Sequence, residues 1–367
     1  MTTETALLAD RLDRLRARLE RDDLEAIVVT GAASVRWLTG YGGSNGLCLV
    51  TPSEQRFLTD FRYAANVAHL RDAWDVRVVD LNLVGALADD LETYVGGARR
   101  VGFEAARMTY AAWALLAGGA RGTPITLVDT TCLVEDVRAR KSPEEVALIR
   151  AGAEINDQVY EWLSSEGLDG TPEREWVRAI ADRMRDLGAD RPAFDSIVAG
   201  GPNGASPHAV PGPDSIERNT LVVVDIGAMV GGYCSDCTRT FATGHTDDAM
   251  REVYEVVLRA QETALALVRP GTPCVDVDAA AHQVIADAGY GEFFNHGTGH
   301  GVGIEIHEEP RFRAGYGGVL EPGNVVTVEP GVYLPDRFGV RIEDLVVVTE
   351  DGHEVLSRFP KSLLDIG

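Results

Sequence analysis

In LVVVDIGAMVGGYCSDCTRTF (221–241), Asp225 ends an apolar run of the kind that becomes a buried strand, where a lone carboxylate is unfavourable. Asp236 lies 11 residues on, in the returning strand, so a hairpin folded at GAMVGG brings the two carboxylates side by side. Like charges that close repel unless a cation lies between them. The arrangement recurs. VVTVEPG puts Glu329 at the end of a second apolar run, and GVRIEDLVVVT puts Glu343 in the next, 14 residues later. Turn residues at a strand end explain one such pair by accident, but two pairs ask for a common cause. Carboxylates grouped this way suit hard divalent cations such as Mn2+.

Between the hairpins, FFNHGTGHGVGIEIHEEPR (293–311) sets His296, His300 and His307 within 12 residues, among glycines that permit close backbone approach. At least one of the three suits a metal ligand, and spacing alone does not choose among them. GPNGASPHAVPG (201–212) adds His208 in a turn-rich loop. Cys234 and Cys237 form a C-x-x-C with no second pair at zinc-ribbon spacing, so they read as strand-packing residues. The GYGGSNG run (40–46) lacks the lysine and the strand-loop-helix pattern of a phosphate loop, and reads as a turn.

Elements must hold these residues in place. The 367 residues suggest two domains at roughly 100–200 residues each. In the first 140, LEAIVVT (24–30), GLCLVTP (46–52), QRFLTDF (55–61) and DVRVVD (75–80) read as strands, TYAAWALLAGG (109–119) as a helix, and Leu8, Leu12, Leu15 and Leu19 as the buried stripe of an N-terminal helix. That alternation predicts an α/β domain over 1–140. At KSPEEVALIR, Ser142, Pro143 and Glu145 form a capping box that opens a long helix and the second domain, 141–367. The second domain repeats itself. A GTP-led helical run starts at Gly170 and again at Gly271, 101 residues later, and Glu329 follows Asp225 by 104. Each half reads helix, helix, strand, hairpin, which predicts an internal duplication.

Composition limits the function. Apolar residues make up 45% and charged residues 25%, ordinary for a globular chain. The 57 acidic residues exceed the 34 basic by 23, which argues against duplex nucleic acid or an anionic membrane as partner. The longest apolar stretch, AAWALLAGGA from Ala111, falls short of the ~18 residues of a membrane span. The N-terminal run is charged too early for a secretion leader, and five scattered cysteines suit a reducing compartment, so a cytoplasmic location is expected.

With these residues in hand, the second domain resembles the pita-bread metallopeptidases that include aminopeptidase P, prolidase and methionine aminopeptidase. The likeness is carried by VVVDIGAMVGGYCSDCTRTF, HGTGHGVGIEIHEEP, VVTVEPGVY and VRIED, over residues 142–360. VRWLTGYGGSNG and FLTDFRY make the first domain similar to the creatinase-type N-terminal domain. The resemblance implies a creatinase-like α/β domain followed by a pseudo-twofold α+β catalytic domain. It also implies a dinuclear site in which Asp225 chelates one ion, Asp236 and Glu343 bridge both, and His300 and Glu329 complete the second. Mn2+ is the expected ion, with Co2+ or Zn2+ as substitutes. His208 and His307 match substrate-facing histidines, with Glu329 shuttling a proton. Arg341 and Tyr333 match residues near the metals, Arg341 counted with the catalytic groups and Tyr333 with those that bind substrate. Thr238 matches a threonine beside Asp236.

A separate N-terminal domain, and an arginine rather than a glutamine at Arg341 before the last ligand, point to the proline-specific branch. The substrates implied are proline-containing peptides, cut at the X-Pro bond. The short N-terminal domain resembles bacterial aminopeptidases P, so that activity is expected first. The alternative is a prolidase restricted to X-Pro dipeptides, in which Arg311 would hold the substrate carboxylate. A non-catalytic binding module of the same fold is a remote third, since this chain keeps all five ligand positions. A homodimer or homotetramer is implied as well.

Overall fold

The computed structural model describes residues 3–367, with side-chain surroundings from residue 7 onward, and the chain divides into two compact units, Met1–Arg138 and Ala139–Gly367. The first is built on a six-stranded mixed sheet in the order Asp75–Val79, Gln55–Asp60, Gly46–Val50, Ala26–Val29, Arg100–Glu104, Thr126–Thr130. The four apolar runs of the sequence supply the first four strands. The last two have no comparable run: RVGFE is bounded by charges and TLVDT is half-exposed. Parallel pairing to Ala26–Val29 and then to one another makes them strands, a long-range cause no local window contains. Leu12, Leu15 and Leu19 of the leucine stripe are buried along the helix Thr3–Arg21, and Leu8, a turn nearer the N-terminus, is only half-buried.

The second unit opens with the helix Pro143–Glu166. The Ser142 hydroxyl accepts from the Glu145 N–H (3.3 Å), and the Ser142 N–H donates to the Glu145 carboxylate (2.8 Å), which is the capping box. Two helix pairs follow the expected repeat: Pro143–Glu166 with Glu173–Asp186, and Asp248–Leu265 with Cys274–Asp287. Each pair is followed by three antiparallel strands of equivalent connectivity. In the first half Ile197–Gly200 and Cys237–Ala242 flank Leu221–Ile226, and in the second Gly299–Gly301 and Asp344–Val348 flank Val325–Val328. The second sheet is longer, with Glu308–Phe312 and His353–Val355 added at its edges. Apolar helix faces pack on these sheets around Val222, Val224, Tyr160 and Ile180 in one half and Val326, Val346, Val257 and Ala281 in the other. Strand ends from both halves are thereby held rigidly, and the acids sit on those ends.

Candidate metal centre

The first hairpin pairs Asp225 opposite Thr238, with Asp236 just before the return strand. Its tip is a small ribbon, Ala228–Val230 against Tyr233–Cys234, turned at Gly231 and Gly232 (φ 56° and 82°), a backbone that favours glycine. The second hairpin repeats the plan: Glu329 follows Val325–Val328, Glu343 precedes Asp344–Val348, and Gly331–Leu334 pairs with Phe338–Arg341 at the tip. The hairpins meet at their return strands. The Glu343 N–H donates to the Thr238 carbonyl (3.1 Å), and the Thr238 hydroxyl donates to Glu343 Oε2 (2.8 Å).

Asp225, Asp236 and Glu343 converge, each offering an oxygen within 4.8 Å of the others. Burial raises the pKa of all three, Asp236 and Glu343 well above the carboxylate range, and neighbouring carboxylates push the same way. Arg341 answers part of that charge. Its guanidinium donates to Asp225 Oδ2 (2.6 Å), the Thr238 hydroxyl (3.0 Å), the Tyr333 hydroxyl (2.9 Å) and the Pro207 carbonyl (3.1 Å). Asp225 Oδ1 and Glu343 Oε1 are nonetheless buried with no hydrogen-bond partner. Hard oxygens converging on one point, two of them orphaned, form a donor set that a divalent cation completes.

His300 stands beside the trio. Its Nδ1 faces the Gly301 carbonyl (3.1 Å), which requires a proton there. Its Nε2 points at Glu329 Oε1 (3.2 Å) and Asp236 Oδ2 (3.7 Å). Such a contact needs either a proton or a cation on Nε2, since a bare lone pair facing carboxylate oxygens is repulsive. Burial pushes Glu329 up, but the hydrogen bond and charge of His300 override it and hold the carboxyl at about 2. The Thr327 hydroxyl donates to the same Glu329 oxygen (3.1 Å). The five expected ligands thus stand as a trio of acids beside a His300–Glu329 pair.

Above them opens a cavity of about 660 Å3, whose wall includes the five together with His208, His307, Arg311 and Arg341. His208 is exposed on its loop. The His307 ring meets His300 edge-on, centroids 4.5 Å apart. Desolvation at the cavity wall and the facing His300 push His307 down to about 4, so the ring is neutral at neutral pH. Its neighbour Glu308 turns the other way, to accept from the Lys141 ammonium (3.0 Å) and the Glu305 N–H (3.0 Å). Arg311 lies 3.8 Å from Glu309 and donates to the His307 carbonyl (3.3 Å). Tyr333, expected against substrate, is 5% exposed and lies behind the wall, between Arg341 and His296. Cys234 and Cys237 are free, buried thiols packed in the first hairpin.

Sequence reasoning leaves several wall residues unassigned: His296, Phe194, Glu309 and Arg313. His296 Nδ1 faces the Gly297 carbonyl (2.9 Å), so its Nε2 accepts from Tyr333 (3.2 Å), and burial lowers its pKa. Strand alternation was the available signal for Glu309 and Arg313, which flank Arg311 at two-residue steps. Phe194 carries no signal, because it reaches the cavity only through the fold.

Residues 147–350 match the model of metallopeptidase family M24, and residues 11–140 match that of the creatinase/prolidase N-terminal domain. The chain is 37% identical over 354 residues to the uncharacterized peptidase YqhT of Bacillus subtilis, which covers 96% of this chain and 99% of the relative. A solved Xaa-Pro dipeptidase from Bacillus anthracis superposes with a TM-score of 0.91 at 34% identity, over 97% of this chain and 99% of that one. An X-Pro aminopeptidase from Thermotoga maritima gives 0.86 at 30% identity, over 97% and 99%.

Proposed function

The chain belongs to metallopeptidase family M24, and from that premise we propose that it hydrolyses the X-Pro bond of proline-containing peptides with two divalent metal ions, Mn2+ foremost. The observation carrying this reading is the trio Asp225, Asp236 and Glu343, with two orphaned oxygens, facing the His300–Glu329 pair on the floor of an open cavity. Relatives of both kinds, dipeptidase and aminopeptidase, support the X-Pro class. The dipeptidase is the more similar of the two, with a TM-score of 0.91 against 0.86, which favours the dipeptidase alternative over the aminopeptidase P expected first. We assign catalysis to 141–367 and an accessory role to 1–140.

Asp225, Asp236, Glu343, His300 and Glu329 would hold the ions. Divalent ions supply Lewis acidity, which lowers the pKa of water and polarises a carbonyl oxygen. Glu329, held ionised by its surroundings, is placed to accept a proton and pass it to the departing nitrogen. Neutral His307 and exposed His208 each retain a ring N–H to donate to oxygen as charge develops on it. Arg341 holds Asp225 in place from behind. Arg311, on the cavity wall with Glu309 at 3.8 Å and a hydrogen bond to the His307 carbonyl, is the residue to bind a dipeptide's terminal carboxylate. All five cysteines are free, which supports a cytoplasmic setting. Exposed Tyr110, Trp113 and Leu115 on the helix Tyr110–Ala120 support self-association into a dimer or tetramer, which light scattering measures.

A cleavage panel of X-Pro, X-Pro-Y and longer peptides, with Mn2+, Co2+ and Zn2+ in turn, tests the reading. Dipeptidase action predicts that X-Pro is cut best, and that Arg311→Ala raises its KM by roughly 10–150-fold, the equivalent of a charge-assisted hydrogen bond. A preference for longer peptides with a silent Arg311→Ala returns the aminopeptidase reading. No X-Pro cleavage with any metal overturns both.

A further inference from the structure

His208 reaches the cavity from a segment with little structure of its own. Residues 206–211 belong to no helix or strand and hold only a single turn at Pro207 and His208. Backbone bonds hold its flanks, with Gly200 at the end of a strand and the Gly212 carbonyl accepting from the Arg174 N–H (3.1 Å), and side chains add further ties, one of them from outside the main cavity's wall. Glu173 is the first residue of the helix Glu173–Asp186 and is 7% exposed. Its Oε1 accepts from the Gly200 N–H (2.8 Å), and its Oε2 from the Gly212 N–H (2.7 Å) and the Asn203 side-chain amide (2.7 Å). Gly200 and Gly212 bracket the His208 loop. Asn203 carries the tie inward, donating also to the Val210 carbonyl two residues beyond His208 (3.1 Å). On the near side Arg341 donates to the Pro207 carbonyl (3.1 Å).

A buried carboxylate accepting three donors is a strong, directional clamp. Glu173 faces a separate cavity of about 380 Å3, with Gly200, Gly212 and Asn203 in its wall, so it acts on the loop rather than on a peptide in the main cavity. We propose that Glu173 is a positioning residue for peptide hydrolysis: by fixing both ends of the 200–212 loop and its Asn203 cross-tie, its carboxylate presents His208 to the reacting carbonyl. This rests on the reading of His208 as a donor to the transition state.

The test is a double-mutant cycle of Glu173→Gln and His208→Ala, assayed on an X-Pro peptide with metal content and thermal midpoint measured in parallel. An amide at position 173 turns an N–H toward donors already in place, at Gly200 or at Gly212 and Asn203, and breaks the clamp without changing its size. Glu173→Gln should lower kcat about 10–100-fold, below the ~10²–10³-fold of a lost transition-state donor, with KM and metal content little changed. In the His208→Ala background it should remove less than about threefold more, because nothing is left to position. Full additivity, or unchanged kcat in Glu173→Gln, overturns the inference. A silent His208→Ala is a different result: it removes the role of His208 and the inference with it. If Glu173→Gln does not fold, Asn203→Ala breaks the cross-tie alone and must show the same non-additivity on a smaller loss.

Discussion

Glu343 and Asp344 are sequence neighbours, both almost fully buried, yet they face opposite sides of the hairpin pair and meet opposite fates. On the back face Asp344 accepts from Arg239 (3.0 Å), Gln261 (3.0 Å) and Lys361 (2.8 Å), so both its oxygens are answered. Arg239 also donates to the Phe359 and Glu343 carbonyls. On the cavity face Glu343 shares its space with Asp225 and Asp236, two buried oxygens lack partners, and the carboxyl pKa values rise. Burial is common to both faces, and compensation is not. A buried acid whose charge is matched from within the chain is structural, and a group left unmatched marks where an external cation belongs.

The largest effect that would sharpen this contrast comes from Asp236→Asn. Removing one cavity-face charge should lower turnover by about 10³-fold or more, since Lewis acidity supplies several kcal/mol, while the metal-free fold survives. Retained turnover with normal metal stoichiometry would break the comparison. The histidines rank next. His300→Ala should lose metal, whereas His208→Ala and His307→Ala should keep it and lose ~10²–10³-fold in kcat. Metal loss from either of the latter pair would move it among the ligands. Asp344→Asn tests the back face. It should lower stability by about 3–5 kcal/mol in urea melts, yet leave metal content and the turnover of folded molecules near normal. Loss of metal before loss of fold would contradict the division.

The smallest effect is in pH. In the metal-free protein His307 has a pKa of about 4, below the ordinary histidine value of roughly 6.5. The unfolded chain therefore takes up this proton first. Its contribution to stability is complete above about pH 6.5 and is lost as pH falls toward 4. His307→Gln should flatten that part of the stability curve, and NMR titration of the ring reads the pKa directly.

Much was legible in the chain before folding. The capping box at Ser142, the leucine stripe of the first helix and the two acid-bearing hairpins are local patterns, each contained in one short window. The strands Arg100–Glu104 and Thr126–Thr130 were not, because parallel pairing rather than their own composition makes them strands. The wall residue Phe194 was hidden for a similar reason, and Glu173 reads as an ordinary acid in the first turn of a helix until the 200–212 loop folds over it.

By itself, then, the sequence determined which residue types stand at strand ends and that the pattern occurs twice, because hydrophobic periodicity and turn chemistry act over a few neighbours. Only the tertiary structure decided which acids go unanswered. In VRIED the two acids are adjacent, and alternation along the strand says only that they face opposite ways. That Arg239, Gln261 and Lys361 gather behind Asp344, while Asp225 and Asp236 gather before Glu343, depends on segments up to 118 residues away in the chain. Charge compensation falls off over a few ångströms of space, and distance in space is what folding sets.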